Sequence, residues 1–479
     1  MKIALLRLPI QFNMNETHHP GGCISALFYN QWLTRYPPLG LLYYGALLKQ
    51  KNHQVKLIDA ELTGYSLKKI SDILKDFNPA ILCSSVNIFS PKYEFDCLKI
   101  LKDDLRCTVI CRGHFPRLYP EETIKNEFID FAFTGKGFSS ILGLTEALEE
   151  KKEFNKVNGI IYRDGNDMVK TPEEPPYDLD SLPFPARELV DNSIYTTALT
   201  TKDRFTVLSG SVGCPYHCTY CQDKNIPFQL RDIDQVIAEM KECKDKFNIN
   251  EVFFFDSTFT IDRQRAIDFC SKLIKAGLKM SWVIRTRPDL VDEELLDMLI
   301  KAGCVKIHYG IESGDQKILD RLKRNIQLKD ITRIVQLTAK KKIAVFGYFM
   351  IGNDGETVDS IKNTIAFAKS LPLHFAQFMK VGPAPGTGIF ESNKEKLKLD
   401  LWLENYKGRD ITGEMWKPQN TGLSLKQLDL WTNRAYRSFY LRPSYLWRML
   451  NFKYTPLYIA RQFKILFLLL RIKLSNLVS

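Results

Sequence analysis

Three cysteines with ligand-like spacing lie near the middle of the chain. Cys214, Cys218 and Cys221 follow the pattern C-x-x-x-C-x-x-C and share a short segment with Gly213 and Pro215. Thiols that only fill a core rarely cluster beside glycine and proline, so we interpret these three as metal ligands. A [4Fe–4S] cube takes one thiolate at each iron that the protein holds, so three cysteines leave one iron open. A small molecule with adjacent amino and carboxylate groups can chelate that open iron.

A structural zinc ion is the first alternative for these thiols. Structural zinc takes four ligands, commonly from paired C-x-x-C elements. The next cysteine along the chain is Cys243, which lies within a predicted helix, and His217 stands between the other ligands in the same segment. The zinc interpretation therefore lacks a clear fourth ligand. The other cysteines have no ligand spacing and are interpreted as small apolar core residues: Cys23, Cys83, Cys97, Cys107, Cys111, Cys243, Cys270 and Cys304.

Alternating strand and helix patterns predict where the cysteine segment lies in the fold. It follows directly on the predicted strand Phe205–Ser209, and five more predicted strands come after it. Six parallel strands separated by helices predict an open or partial (β/α) barrel, with the cysteines at its catalytic end. Asp232, Asp262 and Asp292 each precede a helical pattern and are predicted helix N-caps. The further predicted strands are Glu251–Asp256, Met280–Arg285, Val305–Gly310, Ala344–Ile351 and Phe375–Val381.

The first 150 residues show the same alternation and predict a doubly wound parallel sheet, which would bind a ligand at the carboxyl ends of its strands. Its predicted strands are Ile3–Leu8, Val55–Ile58, Ala80–Ser84, Thr108–Cys111 and Phe131–Thr134. Residues 171–186 are too rich in proline to continue a helix or a sheet. We therefore expect an α/β protein with four regions: the doubly wound domain at 1–150, a hairpin and proline-rich linker at 151–195, the barrel at 196–390, and a helical region at 391–479.

The composition is that of a globular protein in a reducing compartment. Apolar residues make up 45% and charged residues 25%, so neither disorder nor a polytopic membrane fold is favoured. The start, Met1–Arg7, is an apolar run that Arg7 interrupts, which predicts a first strand and not a signal peptide. Eleven cysteines in such a chain indicate the cytoplasm.

The net charge of +12 is concentrated at the end of the chain. Seven basic residues and no acidic residue follow position 441, and the longest apolar run there is Ile465–Leu470. A bilayer-spanning helix needs about 20 apolar residues. Basic residues interleaved with large apolar ones predict instead a helix in the interface of an anionic membrane, peripheral to its inner face. A terminal helix packed on the barrel has the same pattern and is the alternative.

The cysteine spacing, with the aromatic Tyr220 before the last cysteine, resembles the signature of the radical S-adenosylmethionine (SAM) superfamily. Four later segments resemble this family's strand-end motifs in the same order. These are Asp256–Thr260, Gly310–Gly314, Met350–Thr357 and Pro383–Thr387. Together they cover most of residues 200–390. The resemblance implies a [4Fe–4S] cluster at Cys214, Cys218 and Cys221 that binds and cleaves SAM.

The resemblance also implies roles for side chains around the cluster. Glu312, at the end of the fourth strand, is expected to hold the ribose or the amino group of SAM, because a carboxylate suits both. Tyr220 is expected to contact the adenine through its backbone. Arg285 is expected either to bind the methionine carboxylate as a bidentate partner or to make a surface ion pair. Asp256 is expected either to face the same site or to cap a helix.

The first 150 residues resemble the cobalamin-binding domain that precedes the barrel in one branch of this superfamily. The similar segments are Tyr36–Tyr43, Leu57–Ala60 and the strand end at Ser84 and Ser85. By this resemblance, Ser84 and Ser85 would face the corrin. Two segments depart from the family pattern. Arg112-Gly113-His114 stands where paired glycines are usual, and Gly135-Lys136-Gly137-Phe138 stands where G-E-G-E is usual.

A protein ligand to cobalt is a further possibility. In other cobalamin enzymes the ligand histidine lies in D-x-H-x-x-G, and Glu16-x-His18-x-x-Gly21 differs from that pattern by one methylene group. So short a match has a high false-positive risk. Members of the similar branch often leave the lower face of cobalt without histidine, so the resemblance does not require His18.

The combined prediction is a cytoplasmic radical SAM enzyme that uses a [4Fe–4S] cluster, SAM and cobalamin to methylate or rearrange an unactivated carbon. The hopanoid-associated and natural-product members suggest a lipid or other small-molecule substrate, and a flavodoxin or ferredoxin would supply electrons. One alternative is a tRNA methylthiotransferase, which needs a second cluster and a terminal β-barrel that the sequence does not indicate. Nucleic acid is therefore not expected as a partner. The other alternative, a cobalamin or metal sensor without catalysis, disagrees with the intact cysteines and Glu312.

Overall fold

The protein is described by a computed structural model that covers two compact units. The described residues are 1–9, 36–88, 91–196, 202, 204–223, 226–382, 386–392, 394–395 and 422–445. Residues 1–9 and the described residues between 37 and 194 form the first unit. Tyr36 and the described residues from Tyr195 onwards form the second. Among the described residues, no helix combines the length and the apolar character needed to cross a membrane.

The first unit is built on a seven-stranded sheet whose order is β2-β1-β3-β4-β5-β6-β7. Strands β1 to β5 are parallel, and the antiparallel hairpin of β6 and β7 extends the sheet beyond β5. Parallel strands with intervening helices are buried on both faces, which explains their continuous apolar runs. The strands are β1 (Lys2–Arg7), β2 (Gln54–Asp59), β3 (Ile81–Ser85), β4 (Thr108–Arg112), β5 (Phe131–Phe133), β6 (Ile160–Asp164) and β7 (Asp167–Lys170).

Seven helices accompany this sheet among the described residues. Side chains from α1 and α7 pack with residues of β1, β3 and β5 into one apolar core. Ser66 caps α3 by accepting a hydrogen bond from the Lys69 amide. The helices are α1 (Leu39–Gln50), α2 (Ala60–Thr63), α3 (Leu67–Phe77), α4 (Pro91–Leu105), α5 (His114–Leu118), α6 (Pro120–Ile124) and α7 (Phe138–Glu150).

The proline-rich stretch belongs to the first unit. The Glu174 carboxylate accepts hydrogen bonds from the Gly137 and Ser139 amides, both at 2.7 Å. These amides are the unsatisfied donors at the start of α7, where a negative charge is favourable. The proline-rich stretch therefore packs against the sheet domain and is part of it.

The second unit contains the predicted partial barrel. Its six-stranded parallel sheet has the order β15-β14-β13-β12-β11-β8, so chain order and spatial order agree. Strands β9 and β10 form a separate antiparallel pair beside the cysteine segment. The strands are β8 (Phe205–Leu208), β9 (Ser211–Val212), β10 (Gln229–Leu230), β11 (Glu251–Phe254), β12 (Ser281–Thr286), β13 (Cys304–Glu312), β14 (Ala344–Ile351) and β15 (Phe375–Lys380).

Helices cover one face of this sheet and share its main core. The side chains of Asp232, Asp262 and Asp292 each accept backbone N–H groups at the start of a helix, so all three predicted N-caps are confirmed. The described helices are α8 (Ile233–Phe247), α9 (Arg263–Lys275), α10 (Glu293–Lys301), α11 (Gln316–Arg321), α12 (Leu328–Lys340), α13 (Val358–Ser370), α14 (Gly388–Glu391) and α15 (Leu425–Tyr440). Of the predicted helical C-terminal region, α15 is described, whereas the basic tail from 446 onwards lies outside the described residues.

Candidate active site

The cysteine segment forms a loop at the carboxyl end of β8. Gly213 has φ of +76°, and a Cβ atom there would lie 2.4 Å from the Ile226 carbonyl oxygen, so only glycine fits this close approach. Cys218 is buried, whereas Cys214 and Cys221 are partly exposed. The Cys221 amide donates a hydrogen bond to the Cys218 carbonyl oxygen at 3.2 Å, which closes a turn between the last two thiols.

The three thiols influence one another electrostatically. Burial raises the pKa of Cys214, and burial raises the pKa of Cys221 to about 11. A thiolate at Cys218 would add to both shifts. Among the described residues, however, no group of three or more Cys, His, Asp or Glu is placed to hold one metal ion. A cube binds each thiolate at a different iron, so its thiols are spaced more widely than the ligands of a single ion.

The Asp256 side chain stabilises the start of this loop through hydrogen bonds. Its buried carboxylate accepts hydrogen bonds from the Gly210 amide and the Ser211 hydroxyl, both at 2.7 Å. Burial raises the pKa of Asp256, and these two donors oppose that shift. Both carboxylate oxygens are therefore engaged by the chain itself. The structure places Asp256 as a support of the cysteine loop and not as the cap of a helix.

Tyr220 and Glu312 meet beside the buried cysteine. The Tyr220 hydroxyl donates to Glu312 Oε1 at 3.0 Å. Arg324 Nη1 lies 3.7 Å from Cys218 Sγ and 3.4 Å from the Tyr220 oxygen. Burial raises the pKa of Glu312, whereas the Arg324 charge and the Tyr220 hydrogen bond lower it. A carboxylate, a phenol and a guanidinium thus converge around one thiol.

A local irregularity in β13 directs Glu312 into this group. The pairing register of β13 with β14 shifts between Gly310 and Glu312, and Glu312 has φ of 69°. A bulge re-aims a side chain, and left-handed backbone at a non-glycine residue needs the support of its surroundings. A Cβ atom at Gly310 would come within 2.7 Å of Glu312 Oε1, so glycine leaves room for the carboxylate.

Arg285 lies near the carboxyl end of β12. Its Nη2 donates to the Phe255 carbonyl oxygen at 2.9 Å, and its guanidinium lies over the rings of Phe253 and Phe255. Among the described residues it makes no ion pair within 4 Å, and its expected contact with the methionine carboxylate stays a prediction. The side chain is partly buried and its charge is held against aromatic faces.

His308 is a buried polar residue near Arg285 that the sequence analysis did not consider. Its ring stacks on Phe346 with centroids 4.5 Å apart, and its Nδ1 lies 2.9 Å from the Tyr348 hydroxyl. Burial and the charges of Lys306 and Arg285 hold the pKa of His308 well below its usual range. The ring is therefore neutral at neutral pH. Its buried Nε2 has no hydrogen-bond partner among the described residues.

Two later motifs shape loops near the site. The Glu356 carboxylate accepts the Asn353 amide at 3.0 Å and also the Gly352 amide, which closes the loop after β14. Burial raises the pKa of Glu356 to about 7. Thr387 caps α14, and the Ile389 amide in that helix donates to the Thr219 carbonyl oxygen at 3.1 Å. Residues 383–385 of the last motif lie outside the described residues.

The first unit carries a cavity of about 190 Å³ at the carboxyl ends of its strands. This is the edge where a doubly wound sheet binds ligands. The lining residues follow β1 to β5 and are Arg7, Leu8, Glu61, Ser85, Val86, Asn87, Glu94, Arg112, Gly113, His114, Arg117, Gly135 and Lys136. Both segments that depart from the cobalamin-binding pattern thus contribute to this cavity.

The two predicted corrin-facing serines differ in position. Ser85 lines the cavity and accepts a hydrogen bond from Arg112 Nη1 at 3.1 Å. Ser84 is fully buried, and its hydroxyl donates to the Leu6 carbonyl oxygen at 3.4 Å. Adjacent strand residues point to opposite faces, so only one of the two can face the cavity. The possible cobalt ligand His18 lies outside the described residues.

Arg324 and Arg287, like His308, are site residues that sequence reasoning missed. Arg287 lies 4.0 Å over the Tyr216 ring and donates to the Arg324 carbonyl oxygen at 2.6 Å. Neither arginine belongs to a motif with characteristic spacing. The available signal was weak, because Arg324 is one of several basic residues after α11 and Arg287 directly follows β12.

Comparisons with known proteins agree with this geometry. Residues 208–368 match the Radical SAM superfamily. An uncharacterized methyltransferase of Pyrococcus horikoshii is 28% identical over 418 residues, which cover 86% of this chain and 89% of the relative. The hopanoid C-3 methylase of Methylococcus capsulatus is 22% identical over 318 residues, covering 64% and 59%.

A similar fold is known from experimental structures. The methyltransferase TsrM of Kitasatospora setae, solved with cobalamin and a [4Fe–4S] cluster bound, superimposes with a TM-score of 0.63 at 15% identity. The superposition covers 83% of this chain and 75% of TsrM. The superfamily match includes the cysteine loop, Glu312 and Arg324. The similarities to the Pyrococcus methyltransferase and to TsrM extend beyond the barrel. Residues 208–368 of this chain therefore form a radical SAM domain, and the fold of the chain resembles that of TsrM beyond this domain.

Proposed function

We propose that this chain is a cobalamin-dependent radical SAM enzyme that methylates or rearranges an unactivated carbon of a lipid or natural product. One observation carries the proposal. Cys218, one of three thiols in the loop after β8, lies 3.7 Å from Arg324, which contacts Tyr220, and Tyr220 in turn binds Glu312. This group offers both a cluster ligand and polar contacts for SAM. Methyltransferases among the relatives favour methyl transfer as the outcome.

In this proposal Cys214, Cys218 and Cys221 hold the [4Fe–4S] cluster, which supplies the electron that cleaves SAM. The donor set fits, because three thiolates leave one iron open to a ligand. Glu312 binds the ribose hydroxyls or the ammonium of SAM. Its Tyr220 hydrogen bond fixes the orientation of the carboxylate, while Asp256 holds the loop that carries the first cysteine.

We propose that Arg285 contacts SAM and that His308 contacts the substrate. The Arg285 guanidinium suits the methionine carboxylate of SAM, because its charge has no ion-pair partner among the described residues. The neutral His308 can offer a hydrogen bond from Nε2 to a substrate. Its Nδ1 is occupied by Tyr348, which fixes the ring in one orientation.

Cobalamin is assigned to the first unit, where it would serve as the methyl carrier. The cavity lies at the edge of the sheet that binds ligands in doubly wound folds. At about 190 Å³ it is smaller than pockets that enclose a whole drug-sized ligand. It therefore suits one arm of a large cofactor and not the entire corrin ring. Ser85 and Arg112 are among the polar residues that such an arm would meet in this cavity.

The substrate class rests on the hopanoid C-3 methylase relative and on the basic tail after position 441. We propose that the tail attaches the enzyme to an anionic membrane surface. Each basic residue near such a surface contributes about 1 kcal/mol, and salt screens this attraction. Full-length protein should sediment with anionic vesicles at low salt, whereas a chain ending before Tyr458 should stay in solution with its cluster. A truncated chain that aggregates would identify the segment as a core helix.

Anaerobic reconstitution tests the main proposal. The loaded protein should show the visible absorbance of a [4Fe–4S] cluster, bind cobalamin stoichiometrically, and release 5′-deoxyadenosine or S-adenosylhomocysteine from SAM when reduced. Flavodoxin or ferredoxin should replace a chemical reductant. A protein that binds the cluster but no cobalamin would overturn the cobalamin assignment, and a protein that binds no cluster would overturn the enzyme assignment.

A further inference from the structure

Arg112 is a partly buried arginine whose charge is not balanced by a nearby acid. It ends β4 and lines the cavity of the first unit. Its Nη1 donates to Ser85 Oγ at 3.1 Å, and its guanidinium lies 4.8 Å over the Tyr44 ring. Among the described residues no carboxylate lies within ion-pair distance of it. Its Nε is buried and has no hydrogen-bond partner there. An arginine desolvated in this way is costly unless a ligand supplies the counter-charge.

Two glycines, Gly113 and Gly40, lie next to Arg112. Gly113, the next residue, has φ of +116°, and a Cβ atom there would lie 2.5 Å from the Val86 carbonyl oxygen. Only glycine allows this close approach after the strand. On the other side, the guanidinium packs within 3.0 Å of the Cβ position of Gly40, near the start of α1. These two glycines therefore leave room for the turn after β4 and for the guanidinium of Arg112.

The acidic residues of the same cavity are already engaged. Glu61 pairs with Arg7 at 2.5 Å, and Arg7 also pairs with Asp59 at 3.0 Å. The buried Glu94 accepts hydrogen bonds from the Asn87 amide and side chain at 2.9 and 2.8 Å. Burial raises the pKa of Glu94 well above its usual range, although the two Asn87 donors oppose this shift. With Arg117 and Lys136 also in the lining, the cavity is electropositive around Arg112.

We propose that Arg112 anchors the phosphodiester of the cobalamin nucleotide loop. This proposal rests on the cobalamin assignment above. The phosphodiester is the only anionic group of a cofactor whose other peripheral side chains are amides. A guanidinium is the side chain that best matches phosphate oxygens. Ser85 adds a hydroxyl beside Arg112 in the same cavity.

Corrinoids that differ in the nucleotide loop separate this proposal from the cobalamin assignment. The cluster-loaded full-length protein is titrated with hydroxocobalamin, with cobinamide phosphate and with cobinamide, which lacks the phosphate and the base, and binding is followed by visible absorbance. Wild-type protein should bind the two phosphate-containing corrinoids about tenfold or more tightly than cobinamide, because a charge-assisted hydrogen bond is lost with the phosphate. Inorganic phosphate should compete with cobinamide phosphate and not with cobinamide.

Variants at Arg112 provide the decisive comparison. Arg112→Gln should remove the preference for phosphate and leave the affinity for cobinamide unchanged, whereas Arg112→Lys should keep part of the preference. Lys99→Gln, an exposed residue of α4, is the charge-matched control and should behave as wild type. Equal binding of all three corrinoids to wild type would overturn the role of Arg112 and leave cobalamin in place. A parallel loss of all three in both Arg112 variants would show that Arg112 supports the fold. A wild-type protein that binds none would overturn the cobalamin assignment itself.

Discussion

The Tyr220 hydroxyl donates a hydrogen bond to Glu312 Oε1 at 3.0 Å, although 92 positions separate the two residues in the chain. This contact joins the cysteine loop to the end of β13. It gives the expected SAM-binding carboxylate a fixed orientation directly beside a proposed cluster ligand. We therefore expect SAM binding and cluster retention to depend on different atoms of one connected group.

Substitutions at this pair should weaken SAM binding without loss of the cluster. Glu312→Ala removes a charged acceptor, so the Kd for SAM should rise about tenfold or more. Tyr220→Phe removes only the hydroxyl and should have a smaller effect. Isothermal titration with SAM and an iron assay on the same samples measure both properties. An unchanged Kd in Glu312→Ala would mean that Glu312 is structural.

Replacement of any one of Cys214, Cys218 or Cys221 by alanine should abolish the cluster and all SAM cleavage, because two thiolates do not retain the cube. Iron and sulfide per chain, together with visible absorbance, measure the loss. Cys243→Ala is the control, since Cys243 is a buried thiol of α8 in the same unit. If any of these three cysteine variants still bound about four irons per chain, the assignment of the cysteines as cluster ligands would be wrong.

Arg324→Gln should shift the reduction potential of the cluster to a more negative value. The guanidinium lies 3.7 Å from Cys218 Sγ, and positive charge beside a cluster ligand stabilises the reduced, more negative state. Arg324→Lys keeps the charge and should shift the potential less. Redox titration followed by electron paramagnetic resonance gives the midpoint. Equal potentials in wild type and Arg324→Gln would contradict the electrostatic role.

Glu356 should make the barrel less stable as the pH rises from 6 to 8. Its folded pKa of about 7 lies above the unfolded value, so stability from the protonated form is lost as the pH passes through the folded pKa. The loss over this range is about 1.4 kcal/mol. Glu356→Gln keeps an acceptor for the loop amides but does not titrate. Between pH 6 and pH 8 the melting temperature of the wild type should fall by a few degrees relative to that of Glu356→Gln. If the melting temperatures of the two proteins change with pH in parallel, the titration of Glu356 does not affect stability.

The repeating strands and helices were predictable because they depend on local patterns. The five parallel strands of the first unit and the six of the second follow from apolar runs, and the N-caps at Asp232, Asp262 and Asp292 follow from residue type at helix starts. The cysteine spacing was equally local, because all three thiols lie within one loop. The superfamily could therefore be identified before any tertiary contact was known.

Tertiary structure decided which side chains meet. The sequence analysis expected both Ser84 and Ser85 to face the corrin, whereas in the sheet they point to opposite faces. Packing against β1 buries Ser84, and Ser85 lines the cavity. Arg324 reaches Cys218 across 106 positions of sequence, and no spacing rule links two such residues. The φ of 69° at Glu312 depends on the bulge between β13 and β14. Local sequence sets periodicity and capping, whereas contacts between distant residues arise only when the strands pack side by side.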